Sequence, residues 1–270
     1  MLTKSGWLPF SVLDGSERLA TVNLDTDTME YQLPDALIAK RRRGGMIRLG
    51  NGRTMDFLVT PKHRMVIDEN RWKKPKVVLA RDLKEHHGLK VSAANWKGKN
   101  VKRVKVGEDS VDAGDLAEFL GWYVAEGSRH LYHARTQRNA PRWKVHVAQS
   151  KPHTRKRLER LCSRLPWSFY GIDNGLVFTR RDLYEYVGIC GDYAENKVVP
   201  SWIRHASRTI ISRFLDGYLA GDGWKVAPGT SWEANSAATV SERLADDIQE
   251  LFLKNPNTCL LYTSPSPRDS

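Results

Sequence analysis

Cysteine is scarce in this 270-residue chain. Cys162, Cys190 and Cys259 are its only three, and no two form a Cys-x-x-Cys pair. An odd, dispersed set supports neither a disulfide framework nor a zinc knuckle, and it fits a reducing compartment. Long apolar runs are lacking as well. No stretch approaches the roughly 18 apolar residues that cross a bilayer, and the N-terminus lacks the apolar core of a secretory signal, so neither a membrane span nor secretion is expected. Acids are the third shortage: 31 Asp and Glu stand against 43 Lys and Arg, a formal net charge of +12. With 40% hydrophobic residues and 9% aromatics the chain can still bury a core. So large a basic excess points to a polyanionic partner, of which nucleic acid is the commonest. It accounts for affinity, not for a reaction.

The first hundred residues are punctuated by turns. Ala20–Leu24, Met46–Leu49 and Phe57–Val59 are short apolar segments, and Gly50-Asn51-Gly52 reads as a turn between two of them. This pattern predicts an all-β module. A Lys-rich bridge from Arg71 to Gly107 reads as strands and loops on a basic surface. After Asp112 the character changes, and Leu116–Val124 is the first long apolar stretch at helical spacing.

An internal echo follows. Phe119-Leu120-Gly121-Trp122-Tyr123-Val124-Ala125-Glu126-Gly127 recurs 96 residues later as Leu215-Asp216-Gly217-Tyr218-Leu219-Ala220-Gly221-Asp222-Gly223. Each copy leads into a strand-like zone, 143–148 or 232–238, and then a helix, Lys151–Leu165 behind Ser150 or Glu242–Leu253 behind Ser241. Two αββ-type units in tandem are implied. Gly121/Ala125 and Gly217/Gly221 leave each repeated helix one face almost without side chains, so the two backbones can approach closely. Glu126 and Asp222 would then emerge side by side, each followed by the glycine common just past a helix C-terminus. Carboxylates at the negative end of a helix dipole are disfavoured by about 0.3–1 kcal/mol each, so a pair of them calls for a cation. One acid-Gly pair alone would be an ordinary surface helix end. Two in the same register fit Mg²⁺, which takes oxygen ligands and keeps waters, and which can assist phosphodiester hydrolysis.

Both repeats resemble the LAGLIDADG, or DOD-type, homing endonuclease motif, and the resemblance runs from about Val111 to Lys254. It implies an α+β fold with a pseudo-two-fold αββαββ-type core at 109–258, incomplete at its C-terminal side, acting as a monomer on double-stranded DNA. Glu126 and Asp222 take the positions of the metal-binding acids. Asn196-Lys197-Val198-Val199-Pro200 is similar to the family's Lys-x-x-Pro element, which makes Lys197 the residue that polarises water or stabilises phosphate charge. Between the repeats, Arg129–Arg164 holds eleven Lys and Arg against one acid, Glu159. Arg135, Arg138, Arg142, Lys144, His146 and Gln149 supply the donor types that contact phosphates and base edges, while His130, His133 and His146 fit no zinc spacing.

Thr60-Pro61-Lys62-His63 ends an apolar strand, and with Gly6-Trp7 and Ala20-Thr21-Val22 it resembles the Hint, or protein-splicing, domain of inteins. The resemblance implies a partial Hint domain with a basic linker at 1–108, in which Thr60 and His63 polarise the upstream splice junction, and host extein sequence around the element. The first nucleophile is expected to precede Met1. Cys162 and Cys190 read as packing residues. Asn257-Thr258 is not a splicing terminus, because Pro256 stands where histidine is required. Residues 259–270 resemble a translated sequencing-library adapter and are expected to be a non-native or disordered tail. The resemblance further implies the cytoplasm of a bacterial or phage-infected cell. Alternatives are a cleavage-inactive maturase or DNA-binding relative, and a splicing-only Hint protein.

Overall fold

A computed structural model describes residues 1–50, 56–68, 74–85, 87–90, 92–132, 142–226 and 234–255. The fold is mixed α+β, and the chain divides into two units, Met1–Lys97 and Gly98–Ser270. The division falls ahead of residue 108, because the hairpin that follows it packs with the second unit's first helix. The turn at 51–52, Trp232, Asn257-Thr258 and the 259–270 tail lie outside the described residues.

The first unit is built from strands, as its turn-punctuated pattern predicts. β1 (Leu2–Thr3), β2 (Gly6–Trp7), β3 (Leu19–Asn23) and β4 (Thr28–Gln32) are followed by β5 (Ile47–Gly50), β6 (Asp56–Val59), β7 (Arg64–Asp68), β8 (Lys76–Leu79), β9 (Gly88–Leu89) and β10 (Asn95–Trp96). They form a five-stranded sheet in the order β10-β4-β3-β1-β2, a β5-β6 hairpin and a three-stranded sheet β8-β7-β9. Thr60 and His63 sit in the turn between β6 and β7, where the His63 N–H donates to the Thr60 carbonyl at 2.9 Å.

The second unit opens with a hairpin, β11 (Arg103–Val106) and β12 (Asp109–Asp112), which feeds helix α1 (Ala113–Glu126). The Asp112 carboxylate caps α1 by accepting from the Gly114 and Asp115 N–H groups at 2.9 and 3.0 Å. Leu116, Phe119, Leu120, Trp122 and Tyr123 have no exposure. That makes α1 apolar nearly all round, the signature of a central helix.

One side of α1 faces a four-stranded antiparallel sheet ordered β13-β14-β16-β15, from β13 (Gly127–Tyr132), β14 (Arg142–Ala148), β15 (Phe169–Ile172) and β16 (Gly175–Phe178). Val145 and Val147 of β14 pair across to Phe178 and Leu176 on the buried face, and Phe178 meets Phe119 edge-on at 5.4 Å. Helix α2 (Pro152–Cys162) lies between β14 and β15 in the chain. It starts later than expected: Ser150 is not its cap, and Lys151 holds that position without a side-chain hydrogen bond. Pro152, pre-set for the first helical turn, sets the start instead.

The other side of α1 packs on α5 (Arg208–Asp222), reached through α3 (Arg181–Val187), two 3₁₀ turns and α4 (Ser201–Arg204). β17 (Gly223–Val226), β18 (Ala234–Ala237) and α6 (Glu242–Lys254) repeat the order that follows α1. The Ser241 hydroxyl caps α6 by accepting from the Leu244 N–H at 3.1 Å. Near the start of α1, Asp115 binds Arg164 and Arg213, while Glu118 binds Arg157 at 3.0 Å and Arg213 at 2.9 Å. These ion pairs join α1, α2 and α5.

Candidate active site

Residues 118, 121 and 125 of α1 lie against 217, 214/218 and 221 of α5, so the two helices run in the same direction. A β-carbon added to Gly121 would overlap the Phe214 carbonyl oxygen and lie 2.7 Å from the Tyr218 nitrogen; one on Gly217 would overlap the Glu118 carbonyl oxygen and lie 3.1 Å from the Trp122 nitrogen. Only glycine permits this approach, and it delivers both C-terminal ends to one place.

The glycines after the acids play a different part from the one expected. Gly127 (φ −94, ψ 146) and Gly223 (φ −83, ψ 149) are extended rather than left-handed, because each chain passes straight from helix into strand. They are glycines for want of room: a β-carbon would lie 2.6 Å from Tyr123 Cγ at position 127 and 2.8 Å from Leu219 Cα at position 223.

At the shared end, Glu126 and Asp222 converge. A β-carbon on Gly221 would lie 2.6 Å from Ala125 Cβ and 3.1 Å from Glu126 Cγ, which sets the Glu126 side chain against the residue preceding Asp222. Burial pushes the Asp222 carboxyl up to about 7, and the negative charge of Glu126 pushes the same way. Burial also raises Glu126, with Lys151 acting in opposition. Among the described residues neither carboxylate accepts a hydrogen bond or closes an ion pair. This is an oxygen donor set short of positive charge, and it fits a hard divalent cation. Among the described residues no group of three or more His, Cys, Asp and Glu side chains gathers here or elsewhere. An ion would therefore fill most of its shell with water and substrate oxygens.

Lys197, in the connection that leads into α4, is 5% exposed. Its Nζ donates to the Gly127 carbonyl at 3.0 Å and stands 4.0 Å from the centre of the Tyr123 ring. Burial lowers its amine to about 8, partly offset by Cys190 and Asp192. A cation with a reduced hold on its proton thus contacts the residue that follows Glu126. Lys197 and Asp222 also line a cavity of about 880 Å³, with Arg129, His130, Tyr193 and Thr239; Glu126 is not part of its wall. Sequence reasoning missed Arg129. Its guanidinium donates to the Tyr184 carbonyl at 2.8 Å and to Asp192 Oδ2 at 3.1 Å, and lies 4.7 Å over the Tyr184 ring. Those partners stand 55 and 63 residues away, beyond the reach of a local motif.

The candidate nucleic-acid residues divide. Arg142 is exposed, and Lys144 and His146 are half-buried on the face of β14 opposite Val145 and Val147. They pair with Tyr132, His130 and Ser128 of β13, so cationic and aromatic side chains share one sheet face. His146 Nε2 is buried with no hydrogen-bond partner among the described residues, and burial, followed by Lys144 and His130, lowers its pKa. Gln149, expected as a surface donor, is buried, and its Oε1 accepts from the Lys151 N–H at 3.1 Å. Its side chain finishes the turn into α2, where no Ser150 cap does so. Arg135 and Arg138 lie outside the described residues. In the first unit His63 is exposed and Thr60 half-buried, and their side chains form no hydrogen bond to each other.

No protein-family profile matches the chain. It is similar to an ATP-dependent Clp protease proteolytic subunit of Chlamydomonas moewusii, 21% identical over 99% of this chain and 28% of that protein. It is also similar to a DNA gyrase subunit of Mycobacterium leprae, 34% identical over 25% of this chain and 5% of that protein. A DNA polymerase of a Thermococcus species is 30% identical over 44% of this chain and 7% of the polymerase. The chain thus spans less than a third of the length of each of these curated relatives. Among solved structures it is similar to mesophilic variants of the homing endonuclease I-DmoI, with 19% identity, a TM-score of 0.29, and coverage of 42% of this chain and 63% of that one. A further I-DmoI variant, solved with its target DNA and magnesium, gives 18% identity, a TM-score of 0.28, and 42% and 63% coverage.

Proposed function

We propose that the second unit is a LAGLIDADG-type homing endonuclease that cleaves double-stranded DNA at a specific site with the help of a divalent metal, and that the first unit belongs to an intein splicing module. The observation that carries the nuclease reading is the convergence of Glu126 and Asp222 at the common end of two parallel, glycine-faced helices. A divalent ion held by these two carboxylates would supply Lewis acidity to phosphodiester hydrolysis. Lys197 holds a proton beside the site and offers positive charge to a phosphate. Arg142 and Lys144 of β14 bind the DNA backbone, and the neighbouring His130 and Tyr132 widen the contact. The protein acts as a monomer, its internal repeat taking the place of a second protomer, in the cytoplasm of a bacterial or phage-infected cell.

The matched relatives support an element carried inside other proteins. A protease, a gyrase and a DNA polymerase have no common chemistry, yet each resembles this chain over a small share of its own length. In that setting Thr60 and His63, which share one turn of the strand connection, would polarise the upstream splice junction.

The test is magnesium-dependent nicking of plasmid DNA carrying the target. Glu126→Gln and Asp222→Asn are each expected to abolish cleavage and to leave salt-sensitive DNA binding in place. Cleavage that survives in the double variant refutes the assigned roles, and binding without any cleavage in the unmodified protein favours a cleavage-inactive relative.

A further inference from the structure

Lys197 reaches the end of α1 with its amine, but its backbone is held by the second repeat. The Ser241 hydroxyl donates to the Lys197 carbonyl at 2.7 Å while accepting from the Leu244 N–H at 3.1 Å. Two residues further on, Asp247 Oδ2 accepts from the Val199 N–H at 3.0 Å. Between these anchors the Val198 N–H donates to the Cys190 carbonyl at 3.0 Å. Ser241 has no exposure and Asp247 has 2%, so water cannot substitute readily for either partner. Asp247 is itself held by Arg243 at 3.1 Å and lies 3.6 Å from Arg204. The first turns of α6 thus grip the backbone of 197–199 from one repeat, while the Lys197 amine is spent on the Gly127 carbonyl of the other.

We infer that Ser241 and Asp247 are positioning residues, which act through Lys197 by fixing the reach of its amine to the acid-bearing end of α1. The inference rests on the proposed role of Lys197 only where cleavage is concerned; the clamp itself is a property of the chain alone. A four-carbon stem is flexible, so an amine aimed at one carbonyl needs a fixed backbone. A helix cap that also donates outward provides one, and it ties the placement of Lys197 to the folding of α6.

The test is the rate of acylation of Lys197 by an amine-reactive ester on the full chain, read peptide by peptide by mass spectrometry. Glycine is an acceptable N-cap but has no hydroxyl to donate, so Ser241→Gly removes the anchor on the Lys197 carbonyl, leaves that of Asp247 on Val199, and largely spares α6. Lys197 should react about tenfold faster in Ser241→Gly, as local release predicts, whereas Ser241→Thr, which keeps the hydroxyl, should remain near the parent rate. Lys254, with no exposure, reports global unfolding. If it accelerates in step with Lys197, Asp247→Ala decides the matter by the same comparison. An unchanged Lys197 rate in a variant whose Lys254 stays protected overturns the proposal.

With DNA as substrate, Lys197→Met and Lys197→Met/Ser241→Gly should cleave equally slowly, because residues acting through one another are not additive. Additive losses also overturn the positioning role. Normal cleavage by Lys197→Met would sink the catalytic reading of Lys197 and leave the acylation result to judge the clamp.

Discussion

Gly121 and Gly217 stand in reciprocal contact: a β-carbon on Gly121 would lie 3.1 Å from the Phe214 carbonyl carbon, and one on Gly217 would lie 3.1 Å from the Glu118 carbonyl carbon. Since 118 is to 214 as 121 is to 217, this is the local expression of a pseudo-two-fold axis between α1 and α5.

Adding a methyl group at either position must separate the helices. Gly121→Ala and Gly217→Ala should each destabilise the second unit by at least the 1–3 kcal/mol typical of overpacking, seen as a lower Tm. Gly45→Ala, which has nothing within 4 Å of the new carbon, should leave the melt unchanged. An unshifted Tm in either helix variant would show that the close packing is not required.

Asp222 links stability to pH and metal. Its carboxyl is raised from 3.8 to about 7, so between those values the folded state keeps a proton that the unfolded chain has lost. Stability is therefore greatest below about pH 4 as far as this group is concerned, and it falls as pH rises toward 7. Without metal, Asp222→Asn should stabilise the chain at pH 8, on the order of 1 kcal/mol once partial solvent exposure is allowed for. Magnesium should raise the Tm of the parent more at pH 8 than at pH 5, and should not raise that of Glu126→Gln/Asp222→Asn. Scanning calorimetry at the two pH values, with and without magnesium, checks each sign.

The sheet face makes a separate prediction about salt. Removing one cation that touches a phosphate should reduce the slope of log K against log salt by about 0.9. Arg142→Ala and Lys144→Ala are each expected to do so at pH 8. His146→Ala should not, because burial keeps that imidazole neutral. Fluorescence anisotropy titrations over a salt series distinguish the three.

Glu250 lies at the centre of a buried charge cluster. It pairs with Lys254 and, at 3.0 Å, with Arg204, and neither Glu250 nor Lys254 has any exposure. Glu250→Gln removes the anion nearest both cations, leaves Arg204 with Asp247 at 3.6 Å, and should cost about 3–5 kcal/mol, measurable by urea unfolding. A loss below about 1 kcal/mol would mean that the cations find other partners.

Local order was legible in the amino-acid sequence. The strands of the first unit, the apolar run of α1 and its 96-residue echo in α5, and the Ser241 cap of α6 all follow from signals confined to a few neighbouring residues. So does the alternation that buries Val145 and Val147 and leaves Arg142 and Lys144 on the other face. Tertiary structure decided what those residues are chemically. It brought Glu126 to the residue beside Asp222 and raised both carboxyls, and it buried Lys197 against the Gly127 carbonyl 70 residues away. It also withdrew Gln149 into a turn and gave Arg129 partners on a distant helix and in the connection that follows it. Periodicity and capping act within a turn or two of backbone, whereas desolvation and charge coupling depend on which distant segments exclude water from the same few cubic ångströms.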